Sequence, residues 1–321
     1  MSEGYAMAKD VEQYIISGTP DLSVVIPHFE DHAGLERCLR ALSNQRTSSL
    51  VEVIVVDNGS RDLPRDICRR FGATLLSQSK KGPGPARSTG ARAAQGDVLA
   101  FVDADCLPAP DWVSTILQRF GDDPSLQILG GAIDIEVDGG RLPTPLERYE
   151  ALFSYRQRLF VERDNYAATC NMAVRSSAFR LVGDFAGIDT AEDMDWGQRA
   201  TAVRLPIGYV EDMRIATTAR ASFADLAKKL DRQMAHDYQR VTGLKGHLLW
   251  LLKACAMPLS PLLELRTVMQ DAEMPGVADR LKVFGLLVRA RLWRAKCMLL
   301  LPFSLNGRSA AAAWRTPTST S

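Results

Sequence analysis

The sequence predicts an α/β fold, a mostly parallel central sheet flanked by helices, with a helical C-terminal extension. Three observations carry this expectation. Apolar, β-branched runs alternate with stretches of helical spacing from residue 21 to about 135, the rhythm of parallel strands joined by crossover helices. Three of these runs stop at polar groups: His28-Phe29-Glu30-Asp31, Asp57-Asn58-Gly59-Ser60 and Asp103-Ala104-Asp105. In open α/β sheets ligands sit at the carboxyl ends of the strands, so three polar strand ends are worth more together than apart. Beyond Phe223 every stretch reads as helix.

Taken in order, Leu22–Ile26 is an apolar run stopped by Pro27, and Ala33–Asn44 carries Leu35, Cys38, Leu39 and Leu42 at helical spacing. Val51–Val56 reads as the second strand, Asp66–Phe71 as a short helix and Ala73–Leu76 as the third strand. Ser88–Gln95 predicts a helix, Val98–Val102 a fourth strand and Trp112–Phe120 another helix. After residue 135 the rhythm changes: Ile128–Val137 predicts a strand, Pro145–Val161 one helix, Asn165–Val174 a strand and Ser176–Val182 a helix. Gly183–Trp196, rich in glycine and carboxylates, leads into a helix through about Val203, and Gly208–Thr218 predicts the last strand.

A chain of 321 residues with 46% hydrophobic content holds one large or two ordinary domains. Its 39 basic and 38 acidic residues leave a net charge of +1, so bulk charge gives no indication of nucleic acid. Six scattered cysteines without a Cys-x-x-Cys pair argue against a zinc site or a disulfide scaffold and fit a reducing cytoplasm. Residues 1–20 hold Glu3, Asp10 and Glu12 and no long apolar core, so they read as an N-terminal extension and not a secretory signal. The polar end, residues 308–321, is expected to be a disordered tail.

Asp103 and Asp105 close a fully apolar run. A buried, unpaired carboxylate costs several kcal/mol or gives up its charge, so the pair belongs where the strand stops, open to solvent or ligand. Hard oxygens converging there suit Mg²⁺ or Mn²⁺ bridged to phosphate; a plain polar turn is the competing reading. Gly82-Pro83-Gly84-Pro85-Ala86-Arg87 precedes a helix, matches neither the dinucleotide fingerprint nor a P-loop, and places Arg87 where a cation is unfavourable unless it faces an anion. Asp57 either accepts hydrogen bonds from a base or ribose or simply builds an Asx turn. Glu192-Asp193-Met194-Asp195 suits a first helical turn on dipole grounds alone, or supplies a general base. Trp196 stacks on a sugar ring or packs in the core.

VVIPHFED, VEVIVVDNGSRD, GPGPARSTGARAAQGDVLAFVDADCLPAPDWV, CNMAVRSSAFRLVGDF and AEDMDWGQR, in this order over about residues 21–220, resemble the successive blocks of family 2 glycosyltransferases. The resemblance implies a GT-A fold over residues 21–222, with 21–135 binding a nucleoside diphosphate sugar and 136–222 shaping the acceptor site. It places Pro27, Phe29 and Glu30 at the nucleobase, Asp57 on base or ribose, and Arg87 near the nucleotide. Asp103 becomes the nucleotide-side carboxylate and metal neighbour, Asp105 the metal ligand, Asn171 the donor–acceptor junction with Trp196 nearby, and Asp193 the catalytic base beside Glu192. The family is inverting, uses Mn²⁺ or Mg²⁺, and includes enzymes of cell-surface polysaccharide synthesis. The donor implied is a nucleoside diphosphate sugar, UDP-linked by default, and the acceptor a glycan or lipid-linked hydroxyl. A nucleotidyltransferase and a non-catalytic nucleotide-sugar-binding protein are the alternatives.

Two departures stand out. Many relatives carry a metal-binding histidine after the last strand, where this chain has Ile215-Ala216-Thr217-Thr218-Ala219-Arg220; Arg220 would then help to hold the diphosphate. The Gln-x-x-Arg-Trp block of processive synthases is absent. In the helical region 223–307, Leu248–Leu263 is apolar but interrupted by Lys253, Pro258 and Pro261, and reads as short of a membrane span. Asp279–Leu301 reads as a basic amphipathic helix suited to an anionic membrane surface or to packing on the catalytic domain. A cytoplasmic protein, peripheral on the inner face of the membrane through 248–301, is the expectation.

Overall fold

The computed structural model describes residues 18–274 and 276–303. The expected tail and most of the N-terminal extension lie outside the described residues. In chain order the elements of the first half are β1 (Leu22–His28), α1 (His32–Ser43), β2 (Val51–Asp57), α2 (Arg65–Arg70), β3 (Thr74–Ser77), α3 (Pro83–Ala93), β4 (Val98–Val102), β5 (Cys106–Pro108), α4 (Trp112–Asp122) and β6 (Ile128–Glu136). There follow α5 (Pro145–Phe153), α6 (Gln157–Glu162), β7 (Asn171–Arg175), α7 (Ser176–Val182), α8 (Glu192–Ala202), β8 (Ile207–Thr218), α9 (Phe223–Gln239), α10 (Gly243–Ala256), α11 (Leu265–Met269) and α12 (Val277–Leu300). A 3-10 segment, Met257–Glu264, joins α10 to α11.

The chain divides into two compact units. The first comprises the described part of Met1–Asp134 with Arg156–Ile188 and Glu192–Thr217. The strands form one sheet in the order β3-β2-β1-β4-β7-β6-β8-β5. β3, β2, β1 and β4 run parallel, whereas β7 enters antiparallel to β4 and β6. The parallel half is mostly buried, and β4 is buried along its whole length, as expected of strands covered on both faces. Asp31 caps α1 by accepting the Gly34 N–H at 2.9 Å, and Leu35, Cys38, Leu39 and Leu42 form its buried face. Phe101, Met172, Phe179, Phe185 and Trp196 share one core cluster.

The second unit comprises Ile135–Tyr155, Asp189–Ala191 and the chain from Thr218 onward. Thr144 and Glu147 form a reciprocal capping box at the start of α5, and Arg141 holds the Glu147 carboxyl down at about 2. Tyr149, Leu226, Leu230, Val268, Val283 and Leu287 make its core. Of the two readings of Asp279–Leu301, packing within the protein describes α12, against the core of the second unit itself. α12 is the hub of the unit, with Val283, Leu287, Ala290, Ala295 and Met298 all buried. Leu248–Leu263 lies within a longer helical stretch. The helical stretch Gly243–Met269 has 27 residues, a mean hydropathy of 1.4 in its most apolar window and only 17% of that window buried, enough by length and composition to cross a membrane.

Other departures have local causes. α3 starts at Pro83, not Ser88, because proline at the first helical position has its φ preset and needs no N–H partner. The helix expected over Pro145–Val161 breaks into α5 and α6. β7 begins at Asn171, not Asn165. β5 was not foreseen; three residues are too few to show a period.

Candidate active site

The turn at Asp103-Ala104-Asp105 is clamped on both sides. β4 leads into it and β5 leads out, and the Cys106 N–H donates to the Asp103 carbonyl at 3.1 Å. β5 is pinned antiparallel to β8, with Cys106 opposite Thr217 and Pro108 opposite Ile215. The two carboxylates therefore stand in a tight turn beyond a buried strand, as their desolvation cost requires.

Asp103 accepts a 2.5 Å hydrogen bond from Arg87 Nη2, while Arg87 Nη1 donates at 2.9 Å to Glu192 Oε1. The arginine is 3% exposed, but Asp103 is 36% and Glu192 19% exposed. One buried cation thus joins carboxylates from the end of β4 and the start of α8, and burial, which would lower its pKa, is overridden by those two charges, which raise it. The close approach depends on Gly84: a Cβ there would meet the Ala186 carbonyl oxygen at 2.1 Å and Glu192 Cβ at 3.3 Å. Pro83 and Pro85 occupy the first turn of α3, leaving Gly84 as the one N–H among its first three residues. The helix end therefore offers few N–H groups to an anion.

Asp105 has a different environment. Its one hydrogen-bond contact among the described residues is the weak Cys106 thiol at 3.6 Å. Dense protein behind it, and then the Asp103 charge, push its carboxyl up to about 6. A carboxylate so placed would be stabilised in its charged form by a nearby cation. The described residues contain no group of three or more metal-ligating side chains, and the buried Thr217 stands opposite Cys106 in β8. The two-carboxylate donor set fits a hard divalent ion that fills its remaining positions with phosphate and water oxygens. Asp193, at the start of α8, is pushed up to about 7, first by burial and then by its neighbour Glu192.

At the ends of β1 and β2 the carboxylates are committed. Asp57 is 1% exposed. Its Oδ2 accepts the Gly59 and Ser60 N–H groups, both at 3.0 Å, and its Oδ1 lies 3.0 Å from His28 Nδ1. Burial would raise its pKa, but the hydrogen bonds from His28, Ser60 and Gly59 hold it below the usual range. The turn reading describes the contacts Asp57 makes within the protein. Glu30, at φ 56, is held by donation of its N–H to Ser60 Oγ and by acceptance of the Arg61 N–H at 2.9 Å. Pro27 and Phe29 are half-buried beside it, and Lys81 Nζ lies 5.1 Å from the centre of the Phe29 ring.

Two further expected site residues are fully buried. Trp196 is 1% exposed, stacks on Phe179 at 5.9 Å and donates its indole N–H to the Gly183 carbonyl; it is a core residue. Asn171 is 0% exposed, accepts from Trp112 Nε1 and donates to the Ala132 and Met213 carbonyls. It pins β6, β7 and β8 together beneath the turn and has no free polar atom for a sugar. In the second unit Arg220 pairs with the buried Glu150, at 2.5 Å.

Sequence reasoning passed over Asn58. Its Nδ2 donates to the Gln78 and Lys80 carbonyls and its Oδ1 accepts the Gly82 N–H at 2.7 Å. It holds the loop before α3, hence the approach of Arg87. Its place in a strong turn sequence was the only signal for it.

Residues 23–183 match the family described as Glycosyl transferase family 2. The chain belongs to that family. As a glycosyltransferase it is 31% identical over 221 residues to Glycosyltransferase AglE of Haloferax volcanii, covering 66% of this chain and 71% of that protein. It covers only 59% and 45% of two further curated relatives. Its GT-A fold is shared with mannosyltransferase PcManGT from Pyrobaculum calidifontis, solved with GDP-Man and Mn²⁺ (TM-score 0.50, 17% identity, 93% of this chain and 79% of that one). It is shared as well with glucosyl-3-phosphoglycerate synthase from Mycobacterium tuberculosis, solved with Mn²⁺ and UDP-glucose (TM-score 0.50, 21% identity, 69% and 79%).

Proposed function

We propose that this glycosyltransferase moves a sugar from a nucleoside diphosphate sugar, UDP-linked, to a hydroxyl of a glycan or lipid-linked acceptor, with inversion at the anomeric carbon. The observation that carries the reading is the Arg87 bridge, which joins Asp103 to Glu192 across 105 residues of sequence. It supports a reading in which the strand-end carboxylates work with the start of α8, where Asp193, pushed up to about 7, would serve as base. The nucleotide sugars and Mn²⁺ in the two related structures support the donor class and the metal.

Asp193 takes the proton of the acceptor hydroxyl as its oxygen bonds to the anomeric carbon. The bond from that carbon to the diphosphate breaks on the opposite face, and the nucleoside diphosphate leaves with the electron pair. An α-linked donor gives a β-linked product. A base with a pKa near the working pH combines a useful deprotonated fraction with enough basicity. Asp103 and Asp105 would hold Mn²⁺ or Mg²⁺, which when bound neutralises charge on the leaving diphosphate. Arg87 orients Asp103 and supplies positive charge behind it. Pro27, Phe29 and Glu30 border the base, with Lys81 above Phe29.

A panel of UDP- and GDP-sugars incubated with the protein and Mn²⁺, read by mass spectrometry, tests this. Release of nucleoside diphosphate from a UDP-sugar is the expected result. Release of pyrophosphate would indicate a nucleotidyltransferase, and donor binding without turnover a non-catalytic binder.

A further inference from the structure

The outer face of α10 and of the 3-10 segment after it is an exposed leucine surface. Leu244, Leu248, Leu252, Leu259, Leu262 and Leu263 are 57–89% exposed. The opposite face of α10 is anchored: Trp250 and Ala254 are buried with Met234 and Met298, and the Trp250 indole N–H donates to the Met298 carbonyl at 2.8 Å. Soluble proteins scatter single apolar residues over their surfaces and rarely cluster so many. Charge selects the occupant. Residues 223–303 hold thirteen Lys and Arg against seven Asp and Glu, and Lys245, Lys253 and Arg266 are exposed along the leucine stretch itself. A second copy would set like charges against each other, whereas anionic headgroups would meet cations while acyl chains receive the leucines.

We propose that the second unit docks in the plane of an anionic lipid surface through α10 and Met257–Glu264. Crossing is disfavoured by geometry. The 14 residues of α10 span about 21 Å, short of the ~30 Å hydrocarbon core. The chain then turns through a 3-10 segment containing Pro258 and Pro261, and α10 would have to leave its seat on α12. The inference is independent of the transfer reaction and stands or falls separately from it.

Flotation of the full chain with phosphatidylcholine vesicles, with and without phosphatidylglycerol, tests it. The chain is expected to float with the phosphatidylglycerol-containing vesicles and to be extracted by alkaline carbonate. The double variant Leu248→Glu, Leu263→Glu should lose about tenfold or more of the bound fraction with an unchanged thermal midpoint, as both side chains are exposed. Flotation with neither vesicle, or equal flotation of the variant, would overturn the proposal. Equal binding to neutral vesicles would overturn the anionic part, and resistance to carbonate the in-plane part. A dimer abolished by the same variant, without flotation, would assign the face to a second copy and overturn it outright.

Discussion

Arg87 in the first unit and Arg220 in the second both pair with carboxylates, but with opposite burial. Arg87 is 3% exposed while its partners Asp103 and Glu192 are 36% and 19% exposed. Arg220 is 23% exposed while Glu150 is 0% exposed; the Arg148–Asp271 pair repeats that pattern at 14% and 3%. In the second unit the arginines neutralise acids that the fold has already taken out of water. In the first, a buried cation holds acids toward water, where a ligand can reach them. If the proposed site is right, structural and functional ion pairs differ here in which partner is open, not in distance.

Removing the arginine from each kind of pair probes the distinction. Arg220→Met strands Glu150 without its main partner, so a loss of about 3–5 kcal/mol in unfolding free energy is expected by denaturant titration, with donor affinity unchanged. Weakened donor binding at unchanged stability would return Arg220 to the diphosphate. Arg87→Met should cost less stability, because its partners can rehydrate, but should lower turnover by about 10²–10³, the scale for losing one preorganised electrostatic contact. A larger effect on stability than on turnover would erase the contrast. Asp105→Asn is expected to raise the Mn²⁺ concentration for half-maximal activity by at least about tenfold, with the thermal midpoint unchanged or higher, since an unpaired carboxylate is removed. An unaltered Mn²⁺ response would place the ion elsewhere.

Much of this was legible in the chain. The four parallel strands were visible because both faces are buried and their apolar runs are continuous, and Asp103-Ala104-Asp105 because it terminates one of them. Side-chain commitment was not legible. Asp57, Asn171 and Trp196 occupy positions a ligand-facing residue would occupy, and only the contacts of Asn171 with Ala132 and Met213 reveal a pin beneath the site. The Arg87 bridge depends on pairing over 105 residues, which no local pattern contains. α12 misled because its many cations suggest a solvated face, whereas its small and apolar positions seat it at the centre of the second unit. Within the expected membrane-facing stretch 248–301, the exposed leucines cluster on α10 and the 3-10 segment after it.

The central claim is that Asp193, held at about 7, removes the acceptor proton. A carboxyl raised by the fold must lose its proton to act, so activity should climb about tenfold per pH unit below that value and level off above it. The same sign makes the charged form destabilising: stability falls as pH rises from the ordinary carboxyl range through about 7, and Asp193→Asn should remove that slope. The direct measurement is turnover and donor affinity of Asp193→Asn under saturating Mn²⁺. The expected result is a fall of about 10²–10⁴ in kcat with donor affinity retained and the thermal midpoint at neutral pH equal or higher. Donor affinity lost with turnover per bound donor intact would contradict it and make Asp193 a binding residue.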